Sequence, residues 1–141
     1  MSQMRIFFDT NVLVYAHDRP SVHHTDSASL LANIFAAKIG GIIAEQNIIE
    51  LYRILTNPTA MTGKPLTPSQ ARELLFATYL GGTFKIHYPT LPTIDKTLNL
   101  AVDKTITSAK IFDLRIAVLA VEANVDYLAT YNTQDYKNID N

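Results

Sequence analysis

The spacing of apolar positions changes repeatedly along the chain, and each change marks the border between a strand and a helix. Arg5-Ile6-Phe7-Phe8 reads as a short buried strand, and Thr10 to Tyr15 as a helix capped by Asp9 or Thr10. An acid therefore stands at the first strand-to-helix joint. From His24 to Lys38, Ala28, Leu31, Ala32, Ile34 and Phe35 recur at helical spacing, and Gly40-Gly41 reads as the stop. Ile42-Ile43-Ala44 predicts a second strand, and Gln46 to Leu55 a helix with Ile48, Tyr52 and Leu55 on one face. Pro58, Gly63 and Pro65 predict a loop over 56–68, after which Thr67-Pro68 restarts a helix as N-cap and first helical residue, running to about Tyr79 before Gly81-Gly82. Thr83 to His87 reads as a third strand and Asp126 to Ala129 as the last. Between them lie helices over 93–103 and 108–123, the second so continuously apolar that it is expected deep in the core.

This alternation of strands and helices predicts an α/β three-layer sandwich, a central, mainly parallel sheet flanked by helices. A chain of 141 residues is enough for one core, burying roughly two-thirds of its unfolded surface. No repeat, linker or low-complexity segment interrupts it, so residues 1–141 are expected to form a single domain.

Composition narrows the function. With 12 basic and 13 acidic residues and a net charge of −1, the chain lacks the basic footprint of a dedicated nucleic-acid binder. A divalent cation held by acids could still attract a phosphate. The absence of cysteine excludes disulfides, thiolate zinc sites and a cysteine nucleophile. His17, His23, His24 and His87 do not pair at the helical spacing of a zinc hydrolase. No apolar run approaches the ~18 residues that span a bilayer, and Asp9 and Asn11 interrupt the apolar N-terminal stretch. A cytoplasmic location without membrane association is expected.

In open parallel sheets, ligands bind beyond the carboxyl ends of the strands. Asp9 falls at that edge after the first strand, and Asn132 and Asp135 fall there after the last. Taken singly, Asp9 could be only a helix cap, and Asp135 only a solvated loop acid. Asp113 lies in an apolar helix, where a carboxylate needs a cap role, a salt bridge or a cation. Arg115 is a poor partner within the helix, because residues two apart point to different sides. Glu50 lies away from the Ile48/Tyr52/Leu55 face, and periodicity alone makes it a solvated surface residue.

The acidic segments together resemble the PIN-domain nucleases, the family of VapC-type toxins. Phe7-Phe8-Asp9-Thr10-Asn11-Val12-Leu13 is similar to that family's first motif, and Gln46 to Glu50, continuing to Arg53-Ile54-Leu55, to its second. Ile111-Phe112-Asp113-Leu114-Arg115-Ile116-Ala117 resembles the third, and Leu128 to Tyr136 the fourth. The resemblance runs from Ile6 to Ile139, with two departures: Asn132 stands where many members carry Asp, and Tyr136 where Phe is commoner.

The resemblance implies a ribonuclease acting on single-stranded or structured RNA, and a chain that pairs with itself and, as a toxin, with a cognate antitoxin protein. Oxygen ligands without histidine or thiolate select Mg2+ or Mn2+. On this reading Asp9 and Asp113 are metal ligands, Glu50 is a ligand or water-orienting base, and Asp135 is an outer ligand; all four are candidate catalytic residues. Thr10, Asn11 and Asn132 are candidates to hold those carboxylates. Arg53, Lys110 and Arg115 are candidates for phosphate contacts. The alternative is a non-catalytic RNA-binding or regulatory module with an acidic pocket. A phosphoryl-accepting receiver would need an acid pair, yet Phe8 and Thr10 flank Asp9; a haloacid-type phosphatase would need an acid where Asn11 stands.

Overall fold

The computed structural model describes residues 3–136, apart from the side chain of Asp135. The chain runs β1 (Met4–Phe8), α1 (Thr10–Ala16), α2 (His24–Phe35), β2 (Ile39–Ala44), α3 (Glu45–Leu55), α4 (Pro68–Thr78), β3 (Lys85–His87), α5 (Leu91–Lys104), α6 (Lys110–Glu122), β4 (Tyr127–Ala129) and α7 (Thr133–Tyr136). The strands lie in the order β3-β2-β1-β4, and every pair is parallel, with Phe7 opposite both Ile42 and Leu128.

Because successive strand residues point to opposite faces, a parallel sheet covered on both sides needs apolar residues at every strand position. Ile6, Phe8 and Ile43 pack on one face with α1 to α4, through residues such as Leu13, Leu31, Leu51 and Leu75. Phe7, Ile42 and Ala44 pack on the other with Ile116, Leu119 and Ala120 of α6. Helix α5 closes that layer against Leu114 and Val118. The result is the expected three-layer sandwich. No helix among the described residues is long and apolar enough to cross a membrane.

Local differences from the sequence expectation have definite causes. Helix α2 ends at Phe35, and Ala37 takes the left-handed backbone that the glycines were expected to supply. Gly40-Gly41 instead belongs to β2. A Cβ on Gly41 would lie 2.7 Å from Ile34 Cδ1 and 2.8 Å from the Phe84 ring, so glycine there lets α2 close onto the sheet. Helix α3 buries Asn47, Leu51 and Leu55 rather than the Ile48/Tyr52/Leu55 face, and Tyr52 is 37% exposed. Helix α6 is buried both toward the sheet, at Ile116, Leu119 and Ala120, and toward α5, at Leu114 and Val118, while Phe112 at 54% and Val121 at 52% stay exposed. By contrast, the start of α4 is as expected: Thr67 Oγ1 accepts the Gln70 N–H and Gln70 Oε1 accepts the Thr67 N–H, with Pro68 opening the helix.

Candidate active site

Asp9 stands where β1 passes into α1, and its own N–H donates to Ala129 at 2.9 Å, which draws the end of β4 alongside. Oδ1 caps α1 by accepting the Thr10 N–H at 2.8 Å. Oδ2 accepts the Thr130 hydroxyl at 2.9 Å and the Tyr136 hydroxyl at 3.1 Å. Thr130 is itself fixed, since its Oγ1 accepts the Asn132 N–H at 3.0 Å and the Asn11 side-chain amide at 3.4 Å. Asn11 Oδ1 in turn accepts the Tyr131 N–H at 3.3 Å. Asn11 thus ties the loop after β4 to α1. Asn132 is exposed and acts on Thr130 through its main chain.

Beside this loop, Tyr15, His23 and Tyr131 form an aromatic corner. The His23 and Tyr131 ring centres are 4.2 Å apart, those of Tyr15 and Tyr131 5.3 Å apart at 79°. The Tyr131 hydroxyl lies 3.0 Å from Ser27 Oγ.

Glu50 is not the solvated surface residue that periodicity alone suggests. It is half-buried, and its Oε1 accepts the Thr10 hydroxyl at 2.9 Å and the Gln46 side-chain amide at 3.3 Å. Thr10 therefore joins the two carboxylates, Asp9 through its N–H and Glu50 through its hydroxyl. Thr10 Oγ1 also accepts Asn47 Nδ2 at 2.9 Å.

Asp113 is half-buried in the first turn of α6. The guanidinium of Arg115, two residues on, pairs with Glu45 and donates to Gln46 Oε1, which docks the start of α6 on the start of α3. The expected phosphate contact thus spends its charge on Glu45 and, through Gln46, on steadying Glu50. Arg53 and Lys110 are exposed. Asp135 has its backbone in α7, and its side chain lies outside the described residues.

Gln46, Asn47, Thr130 and the hydroxyl of Tyr136 were not singled out from sequence as site residues. For Asn47 a signal existed, since it shares the i, i+4, i+8 spacing of Leu51 and Leu55 and is a polar residue on a buried stripe. Tyr136 carried one as well, the hydroxyl it adds where Phe is commoner in the fourth motif, and Thr130 carried none.

All the donors gathered here are hard oxygens, which suit Mg2+ or Mn2+. Among the described residues no group of three or more acidic or histidine side chains is placed to hold a metal ion.

Residues 6–141 match the PIN domain family. Ribonuclease VapC24 from two strains of Mycobacterium tuberculosis is 30% identical over 128 residues, covering 91% of this chain and 86% of the relative. The crystal structure of Mycobacterium tuberculosis VapC20, described as a sarcin-ricin loop cleaving toxin, matches with a TM-score of 0.70 over 92% of both chains, at 12% identity. At that identity the likeness speaks to the fold.

Proposed function

Because the chain belongs to the PIN-domain family, among its VapC-type members, we propose that it is an Mg2+- or Mn2+-dependent endoribonuclease, the toxin of a toxin–antitoxin pair. The observation that carries the reading is the joining of Asp9 and Glu50 through Thr10 at the carboxyl edge of the sheet. A divalent cation bound there would activate a water and offset the charge growing on the phosphate oxygens.

The chain's own residues prepare for this. Asp9 and Asp113 serve as ligands, Glu50 as ligand or water-orienting base, and Asp135 as an outer ligand. Both protein donors that reach Glu50 among the described residues end on Oε1. Oε2 is left for a water or a ligand. Thr130, Tyr136 and Thr10 hold the Asp9 carboxylate in a fixed orientation. Asn11 and Asn132 steady the Thr130 hydroxyl that does so.

The same reading carries a single domain over residues 1–141, RNA as substrate, a homodimer, a cognate antitoxin protein and a cytoplasmic location. A non-catalytic RNA-binding module is the competing reading. Incubating an RNA pool with Mg2+, Mn2+ or EDTA, for wild type and Asp9→Asn, separates them. Cleavage that needs the metal and Asp9 is expected; equal cleavage by the mutant, or full activity in EDTA, would sink the proposal.

A further inference from the structure

Glu50 stands at the end of a chain of hydrogen bonds whose direction is set from the opposite end. The Ala44 main-chain N–H can only donate, and it donates to Asn47 Oδ1 at 2.7 Å. That contact turns the Asn47 amide so that Nδ2 faces Thr10 and donates to Oγ1 at 2.9 Å. Having accepted there, the Thr10 hydroxyl directs its single proton to Glu50 Oε1, 2.9 Å away. Asn47 is 0% exposed and Thr10 is also buried, so water cannot take over either role. An amide at a position that Leu51 and Leu55 mark as apolar is costly unless its hydrogen bonds are used. Only a side chain with an acceptor and a donor passes the direction on.

We propose that Asn47 is a positioning residue for Glu50. Acting through Thr10, it delivers an O–H donor to Oε1, fixes the orientation of that oxygen and leaves Oε2 to meet the reacting groups. The proposal rests on the nuclease reading for what Oε2 meets.

Calorimetric titration with manganese, together with steady-state RNA cleavage, tests it on wild type, Asn47→Leu, Thr10→Val, Thr10→Ser and the Asn47→Leu/Thr10→Val double variant. Loss of an outer-shell partner typically costs 10–100-fold in metal affinity or activity. Asn47→Leu is therefore expected to weaken manganese binding about tenfold and to lower kcat about tenfold, with KM unchanged. Thr10→Val should match it, the double variant should be no worse than Thr10→Val, and Thr10→Ser should retain function. A merely structural Asn47 would lower the melting temperature and leave both readouts alone. Wild-type affinity and kcat in Asn47→Leu, or additive losses in the double variant, would overturn the proposal.

If Asn47→Leu does not fold, Asn47→Asp replaces it. Aspartate still accepts the Ala44 N–H but offers Thr10 no donor. Its added negative charge would by itself tighten manganese binding, so weaker binding supports the relay and equal or tighter binding overturns it. Wild type that cleaves in an Asp9-dependent way beside a fully active Asn47→Leu removes the relay alone. Wild type that neither binds manganese nor cleaves removes both.

Discussion

Asp9 and Asp18 flank the same short helix, one before Thr10 and one after its C-cap His17, and their hydrogen bonds look alike. Asp9 accepts from Thr10, Thr130 and Tyr136. Asp18 accepts the Thr62 N–H at 3.1 Å, the Thr62 hydroxyl at 2.7 Å and the Gly63 N–H at 2.9 Å. Counting donors does not tell an active carboxylate from a structural one. Their company does. The carboxylate joined to Asp9 through Thr10 is Glu50, the pair at which the proposed function would place a cation. Asp18 is 3% exposed and feels the imidazole of His24. Burial pushes its carboxyl up, but the hydrogen bonds from Thr62 and Gly63 and the charge of His24 outweigh it and hold it below the usual carboxylate range. Close by, His17, Arg19, His24 and Lys64 line a cavity of about 290 Å3. Asp18 is satisfied where it stands by the donors of Thr62 and Gly63, pinning the loop after α3.

The strongest way to break this contrast is to neutralise each acid in turn. Asp9→Asn is expected to lower cleavage about a thousandfold, equivalent to about 4 kcal/mol, while Asp18→Asn leaves the rate per folded molecule unchanged. Comparable losses of cleavage from both would erase the distinction.

The next largest effect belongs to His17, whose pKa burial lowers from 6.5 to about 4, helped by His24. Its Nε2 lies 2.7 Å from the Tyr79 hydroxyl. A group with a depressed folded pKa binds its proton more readily when unfolded, so its contribution is full above pH 6.5 and falls away toward pH 4. At about 1.4 kcal/mol per pH unit, denaturant titrations should lose about 3 kcal/mol across that window. His17→Gln should flatten the slope; an unchanged slope would assign it to another group.

Asp18→Asn should cost on the order of 2 kcal/mol at pH 7, because its amide turns a donor toward groups that also donate. The wild-type advantage should shrink as pH falls below about 4, where the unfolded carboxyl protonates first. Equal midpoints for the two proteins in urea at neutral pH would deny Asp18 this role.

The smallest effect concerns Glu50→Gln, which keeps the Oε1 acceptor and removes one of two neighbouring negative charges. In EDTA the variant should be as stable as wild type or more so, by about 1 kcal/mol at most, the scale of a screened like-charge pair. Millimolar magnesium should raise the melting temperature of wild type more than that of the variant. Parallel shifts would separate Glu50 from the cation site.

Much of this was legible in the chain. Apolar runs marked β1 and β2 because both sheet faces are covered, and Thr67-Pro68 announced α4 by local chemistry alone. Side chains whose role depends on distant partners were harder to read. Tyr52 counts as apolar yet its hydroxylated ring sits at the surface, which rotated the expected face of α3 and hid Asn47. Gly41 reads as a helix stop unless Ile34 and Phe84 are known to press on it. Glu50 was visible only through the family resemblance, since its hydrogen-bond donor Thr10 is 40 positions away. Helix α7 is a single polar turn, Thr133–Tyr136, with no periodicity to detect.

The aromatic corner at Tyr131 also gives the protein an optical character of its own. The chain has seven tyrosines and no tryptophan, so its near-ultraviolet emission and circular dichroism come from phenol rings that no indole outshines. Tyr15 and Tyr131 touch each other beside the loop that carries Thr130, and Tyr136 is bonded to Asp9. Three of the seven tyrosines thus stand at this one edge of the sheet, and the unlabelled protein carries its own spectroscopic probe of the place where RNA and cation would arrive.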